Sequence, residues 1–145
     1  MGWGPEPVWS TAQVKTNQAA NQSAKSVSIT VTVPPETATE YKVPGQYVQF
    51  RLNEETKPLF LAIASPPNGE NAEFEFLIKK TPDNGWITDA APGTLVQISQ
   101  VLGGGFPMQE NLEGFKYDFP TQNVLLFGVG SGIAPIKAAM ESGTL

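Results

Sequence analysis

Ser26–Val33 alternates strictly, with Val27, Ile29, Val31 and Val33 on one face and Ser26, Ser28, Thr30 and Thr32 on the other. A period of two predicts a half-buried strand. Pro34-Pro35 ends it, because proline supplies no ladder donor. Gln46–Leu52, opened by the Pro44-Gly45 turn, repeats the pattern: Val48, Phe50 and Leu52 face one way, Tyr47, Gln49 and Arg51 the other. Phe74–Lys79 alternates with Phe74, Phe76 and Ile78 inward, and Thr94–Ser99 with Val96 and Ile98 inward. Leu59–Ala64 is a continuous apolar run stopped by Ser65-Pro66-Pro67, which predicts a strand buried on both faces. Val8–Val14 reads as a short lead-in strand and the polar stretch Gln18–Lys25 as a loop. Pro82–Gly85 reads as a turn, Trp86–Ala91 as one helical turn ended by Pro92-Gly93, and Val101–Met108 as irregular, since it holds Gly103–Gly105. Short strands without a long helix predict an all-β domain, an antiparallel barrel or sandwich.

The pattern changes near the end. The apolar run Asn123–Phe127 leads straight into Gly128-Val129-Gly130-Ser131-Gly132-Ile133-Ala134-Pro135. Ile133, Ile136, Ala139 and Met140 then recur at helical spacing, and Gly143 suits a helix C-terminus. Strand, glycine turn and helix open a βαβ unit. The expected organisation is a barrel over residues 8–118 and the incomplete start of a nucleotide-binding α/β domain over 122–145. A glycine turn there presents bare N–H groups to an anion at a helix N-terminus. Its spacing differs from G-x-G-x-x-G, so a tight connection without a ligand is the alternative.

Composition narrows the chemistry. The chain holds 14 glycines and 13 prolines in 145 residues, above the usual combined share of about 12%, which agrees with frequent turns. A net charge of −5 argues against nucleic acid as a partner. No apolar run approaches the ~20 residues of a membrane-spanning helix. Cysteine and histidine are both absent. That excludes disulfides, thiolate catalysis, Ser-His-Asp triads and metal sites built on Cys or His. A bound cofactor is the natural route to chemistry in such a chain. Met1–Pro7 does not read as a signal or transit peptide.

The order of motifs carries a resemblance. Pro44–Tyr47, Ala64–Pro67, Gly85–Thr88, Pro92–Ile98 and Gly128–Pro135 resemble the successive Pro-Gly-Gln-Tyr, Ala-Ser-Pro-Pro, Gly-x-x-Thr, Pro-Gly-x-x-Val-x-Ile and Gly-x-Gly-x-Gly-x-x-Pro motifs of the ferredoxin–NADP⁺ reductase superfamily. Gly45–Gln49, Phe60–Pro67 and Ser99–Gly105 are most similar to a plant branch of "fruit protein"-like FAD/NAD(P)-binding oxidoreductases. The resemblance implies a six-stranded Greek-key flavin barrel of the FR type followed by a pyridine-nucleotide domain. It implies FAD as cofactor, NAD(P) where the second domain is complete, an electron acceptor of unknown identity, and a chloroplast location. It also implies that this chain alone does not turn over NAD(P)H.

Carried over by position, the resemblance puts Gly85, Trp86, Ile87 and Thr88 at the flavin pyrophosphate, with the Thr88 hydroxyl as a contact. Gly128, Gly130, Gly132 and Pro135 fall at the NAD(P) turn, and Tyr47, Ala64 and Ser65 beside the flavin. One motif departs. Leu59-Phe60-Leu61-Ala62 stands where the family has Arg-x-Tyr-Ser, so the phosphate-pairing Arg, ring-stacking Tyr and ring-bonding Ser are all missing. Arg51 and Lys57 are alternative sources of charge. Trp86 either lies over the flavin or packs, and Tyr47 faces either a ligand groove or solvent. A cofactor-free barrel with a binding or structural role in a larger assembly is the competing reading.

Overall fold

The computed structural model describes residues 6–67, 71–105 and 133–142. Its elements are β1 (Ser10–Ala19), β2 (Ser26–Thr32), α1 (Pro35–Glu40), β3 (Tyr47–Arg51), β4 (Leu59–Ala62), β5 (Glu73–Lys79), α2 (Gly85–Thr88), β6 (Leu95–Ile98) and α3 (Ile133–Glu141). The strands form one six-stranded sheet in the order β4-β3-β6-β1-β2-β5, antiparallel throughout. The expected all-β, six-stranded antiparallel Greek-key arrangement is what the chain adopts.

The sheet curls until its two edges meet. Just past β4, the Ala64 amide donates to the Glu75 carbonyl of β5 at 2.7 Å. The Glu75 amide donates to the Ser65 hydroxyl at 3.1 Å. These bonds use up backbone groups that an open edge would expose to other chains.

The alternating faces become the core. Register pairs Val27 with Ile78, Ile29 with Phe76 and Val31 with Phe74, so the two inward rows lie side by side. Phe50 meets Phe76 edge-to-face at 4.8 Å, and Tyr41 meets Phe74 at 5.5 Å. Each of these large side chains contributes about 1.5–3 kcal/mol by leaving water.

Four expectations are corrected. Gln18 and Ala19 belong to β1 rather than to a loop, pairing with Ser28 and Val27. The ladder continues because the backbone of β2 supplies partners whatever the side chains, and Ala24 at φ 55° helps turn the hairpin. Pro34-Pro35 does more than end β2, since Pro35 starts α1 at the first helical position, where its missing N–H costs nothing. β4 is not buried on both faces: Phe60 is 66% exposed, because the register sets Leu59 and Leu61 opposite the core residues Phe50 and Val48 and so turns Phe60 to the other face. On α3 the buried residues are Ala134, Ala138 and Ala139, while Ile133 and Met140 stand exposed at 43% and 61%.

Candidate functional site

The outer face of β3 and β4 concentrates groups that suit a flat, anionic ligand. Alternation puts Tyr47, Gln49 and Arg51 on the face opposite Val48 and Phe50. Cross-strand register sets Gln49 opposite Phe60 and Tyr47 opposite Ala62. The Tyr47 and Phe60 rings are 6.1 Å apart and tilted by 51°. Tyr47 exchanges backbone bonds of 3.0 and 2.8 Å with Leu102. Gly103 then passes beneath its ring: at φ +84°, an added Cβ would fall 2.8 Å from Tyr47 Cε1. Gln46 Nε2 donates to the Gly103 carbonyl at 2.9 Å and so holds this approach. At the other end of β3, the Arg51 guanidinium lies 4.1 Å from the centre of the Trp9 ring, and its Nε donates to Gln97 Oε1 at 2.6 Å.

Leu59 and Leu61, at the Arg and Tyr positions of the missing motif, pack against the hydrophobic core. On β4 the side chain left outside is Phe60.

Ala64 and Ser65 stitch the barrel. Ala64 is fully buried. The Ser65 carbonyl accepts the Tyr41 hydroxyl at 2.6 Å. Burial pushes that hydroxyl's pKa well above the usual tyrosine range. Ser65 and Pro66 also line a cleft of about 180 Å³ with Thr30, Asn71 and Glu73.

The Gly85–Thr88 loop divides its roles. Ile87 is in the core and Trp86, partly buried, packs against it. The Thr88 hydroxyl, expected at a phosphate, is instead buried and bonded to Asn84 O at 3.1 Å and Asn84 Oδ1 at 3.3 Å. Asn84 Oδ1 accepts the Thr81 amide and its Nδ2 donates to the Lys79 carbonyl. Asn17 Nδ2 ties β1 to the loop through the Thr88 and Ala90 carbonyls, at 3.0 and 2.8 Å. The Ile87 and Thr88 amides bond to Asn84 O, whereas those of Gly85 and Trp86 take no partner among the described residues. The loop's unused donors are therefore these two backbone amides and the Trp86 indole N–H.

Gly128, Gly130 and Gly132 lie outside the described residues. Pro135 sits half-buried in the first turn of α3. Lys137 joins this helix to β5 through Glu75 at 3.2 Å and to Glu141 at 2.7 Å. Burial disfavours its ammonium, but the bonds to Glu141 and Glu75 outweigh that and raise its pKa. Among the described residues, no three Asp or Glu side chains gather as a metal site, and no helix is long and apolar enough to cross a membrane.

The structure thus brings Tyr47 together with Phe60 and Gly103, and holds Gly85–Thr88 at a separate loop. Phe60 was hidden from sequence reasoning inside a run read as doubly buried.

No family model matches the chain. The curated fruit protein pKIWI502 of Actinidia deliciosa is 31% identical over 150 residues, covering 97% of this chain and 44% of that protein. The chain therefore spans less than half the length of this relative. Flavohemoglobin from Malassezia yamatoensis, with bound FAD and heme, superposes with a TM-score of 0.64 at 17% identity, over 90% of this chain and 33% of that one. Amycolatopsis cytochrome P450 reductase GcoB gives 0.64 at 17%, over 94% and 40% of the two chains. The flavohem-like FAD/NAD binding domain of nitric oxide dioxygenase from Vibrio cholerae gives 0.63 at 17%, over 91% and 55%. The barrel described above has the fold of the FAD-binding barrel in these ferredoxin reductase-like proteins.

Proposed function

We propose that the chain is the flavin-binding part of an oxidoreductase of the ferredoxin–NADP⁺ reductase superfamily, similar to the plant fruit-protein branch, in which electrons pass between NAD(P)H and FAD. The observation that carries this is the barrel itself. With strand order β4-β3-β6-β1-β2-β5 and closure between Ala64 and Glu75, it superposes on solved structures that include one with bound FAD. Arg51 offers a cation. FAD, when bound, supplies the redox chemistry; the residues of the chain supply binding, orientation and electrostatics.

NAD(P) belongs to the proposal through Gly128, Gly130, Gly132 and Pro135 and requires a complete nucleotide domain. The electron acceptor and a plastid location rest on resemblance alone. Retention of flavin tests the central reading: the purified protein is expected to carry visible flavin absorbance, and a colourless protein that takes up no added FAD contradicts it. A cofactor-free barrel is the second reading, favoured by Leu59 and Leu61 facing the core where the family places its flavin contacts. The colourless outcome is the one it requires.

A further inference from the structure

Resting on the reading of α3 as the helix that opens a nucleotide domain, we propose that Lys137 is a positioning residue. Through Glu75 it fastens α3 to the seam where the barrel closes, and so sets how that domain sits against the flavin barrel. The bond it uses is an ion pair of 3.2 Å between Lys137 Nζ and the Glu75 carboxylate.

Glu75 is where the links meet. Its carbonyl accepts the Ala64 amide at 2.7 Å and its amide donates to the Ser65 hydroxyl at 3.1 Å, which together form the seam. Its carboxylate accepts the Ser28 hydroxyl of β2 at 3.3 Å as well as the Lys137 ammonium of α3. The barrel therefore holds the carboxylate from its own side. Lys137 is held from the other side by Glu141, one turn further along α3, at 2.7 Å. That second pair adds little to the helix itself: lysine four residues before glutamate is the less favourable order, and a carboxylate in the last turn opposes the helix dipole. What it does is keep the ammonium between two carboxylates, one of them on β5. The Lys137 and Glu75 side chains are only 29% and 26% exposed, so salt screens them less than a surface pair. Removing either partner leaves the other charge without its counterpart. The rest of α3 supplies no comparable grip. Its buried side chains are Ala134, Ala138 and Ala139, whose single methyl groups interlock poorly with any neighbour, and Ile133 and Met140 stand exposed.

The test follows native-state hydrogen exchange in the 145-residue chain, without flavin, for Lys137→Met, Lys137→Arg, Glu75→Gln and the double variant with Lys137→Met and Glu75→Gln. In Lys137→Met the α3 amides are expected to exchange about tenfold faster, the low end for a charge-assisted bond in a pair still partly wet. The amides that pair β2 with β5 are expected to keep their wild-type rates. Arginine reaches the same carboxylate, so Lys137→Arg is expected to keep α3 protected. Glu75→Gln is expected to match Lys137→Met, and the double variant to exchange no faster than either single one. Unchanged α3 rates in either single variant, or effects that add in the double one, overturn the proposal. So does an equal acceleration of α3 and the β2–β5 amides, which marks general stabilisation rather than positioning. No flavin takes part, so each of these failures leaves the flavin reading standing. A chain that takes up no FAD overturns that reading and changes none of these rates.

Discussion

The Tyr41 hydroxyl donates a 2.6 Å hydrogen bond to the Ser65 carbonyl. It joins the segment after α1 to the turn that closes the barrel, next to the Ser65 hydroxyl that accepts the Glu75 amide. Tyr41→Phe keeps the ring against Phe74 and removes only this bond. The expected cost is about 0.5–1.5 kcal/mol, the net worth of one hydrogen bond to a part-buried carbonyl. Chemical denaturation at neutral pH measures it. Burial raises the Tyr41 pKa in the folded state, so its contribution is present below the unfolded value of ~10 and is lost as pH rises toward the folded value. Stability of the wild type is therefore expected to fall at alkaline pH, and this part of the fall to vanish in Tyr41→Phe.

Gly103 gives a second prediction. Its φ of +84° disfavours any side chain, and a Cβ would strike the Tyr47 ring at 2.8 Å. Gly103→Ala is expected to destabilise the fold by more than ~1 kcal/mol. It is also expected to shift the Tyr47 ring. Melting temperature and the near-ultraviolet circular dichroism of tyrosine check the two effects separately.

The Thr88–Asn84 pair separates structural from ligand roles. With its hydroxyl bonded to Asn84, Thr88→Val is expected to lower stability by about 1 kcal/mol. FAD affinity should stay close to wild type in the folded variant. Asn84→Ala strips partners from the Thr81 amide and the Lys79 carbonyl as well, so its cost should be larger. An FAD affinity that collapses in a stably folded Thr88→Val protein contradicts this assignment.

The sequence made the strongly periodic strands legible, and the reason is physical. Val27, Ile29 and Val31 on β2, and Phe74, Phe76 and Ile78 on β5, each face one core. Their alternation records that, and the register joins them. Leu59–Ala64 was not legible in the same way. A short apolar run looks alike whether both faces or one is covered, and which of its side chains faces outward is decided by the register with β3. α1 was hidden because Pro34-Pro35 ends a strand and starts a helix equally well. At the candidate site, Tyr47 could be placed on the outer strand face from alternation alone. The Phe60 contribution needed the register between β3 and β4, and the inward turn of the Thr88 hydroxyl needed the position of Asn84.

Thermal melting with increasing FAD tests the flavin-barrel assignment most directly. A ligand that binds only the native state must stabilise it, by about 2.7 kcal/mol at a hundredfold excess over Kd. For a domain of this size that is a rise of roughly 10 °C. A concentration-dependent rise in melting temperature with FAD is the predicted result, and a melting temperature unchanged at any FAD concentration contradicts the account.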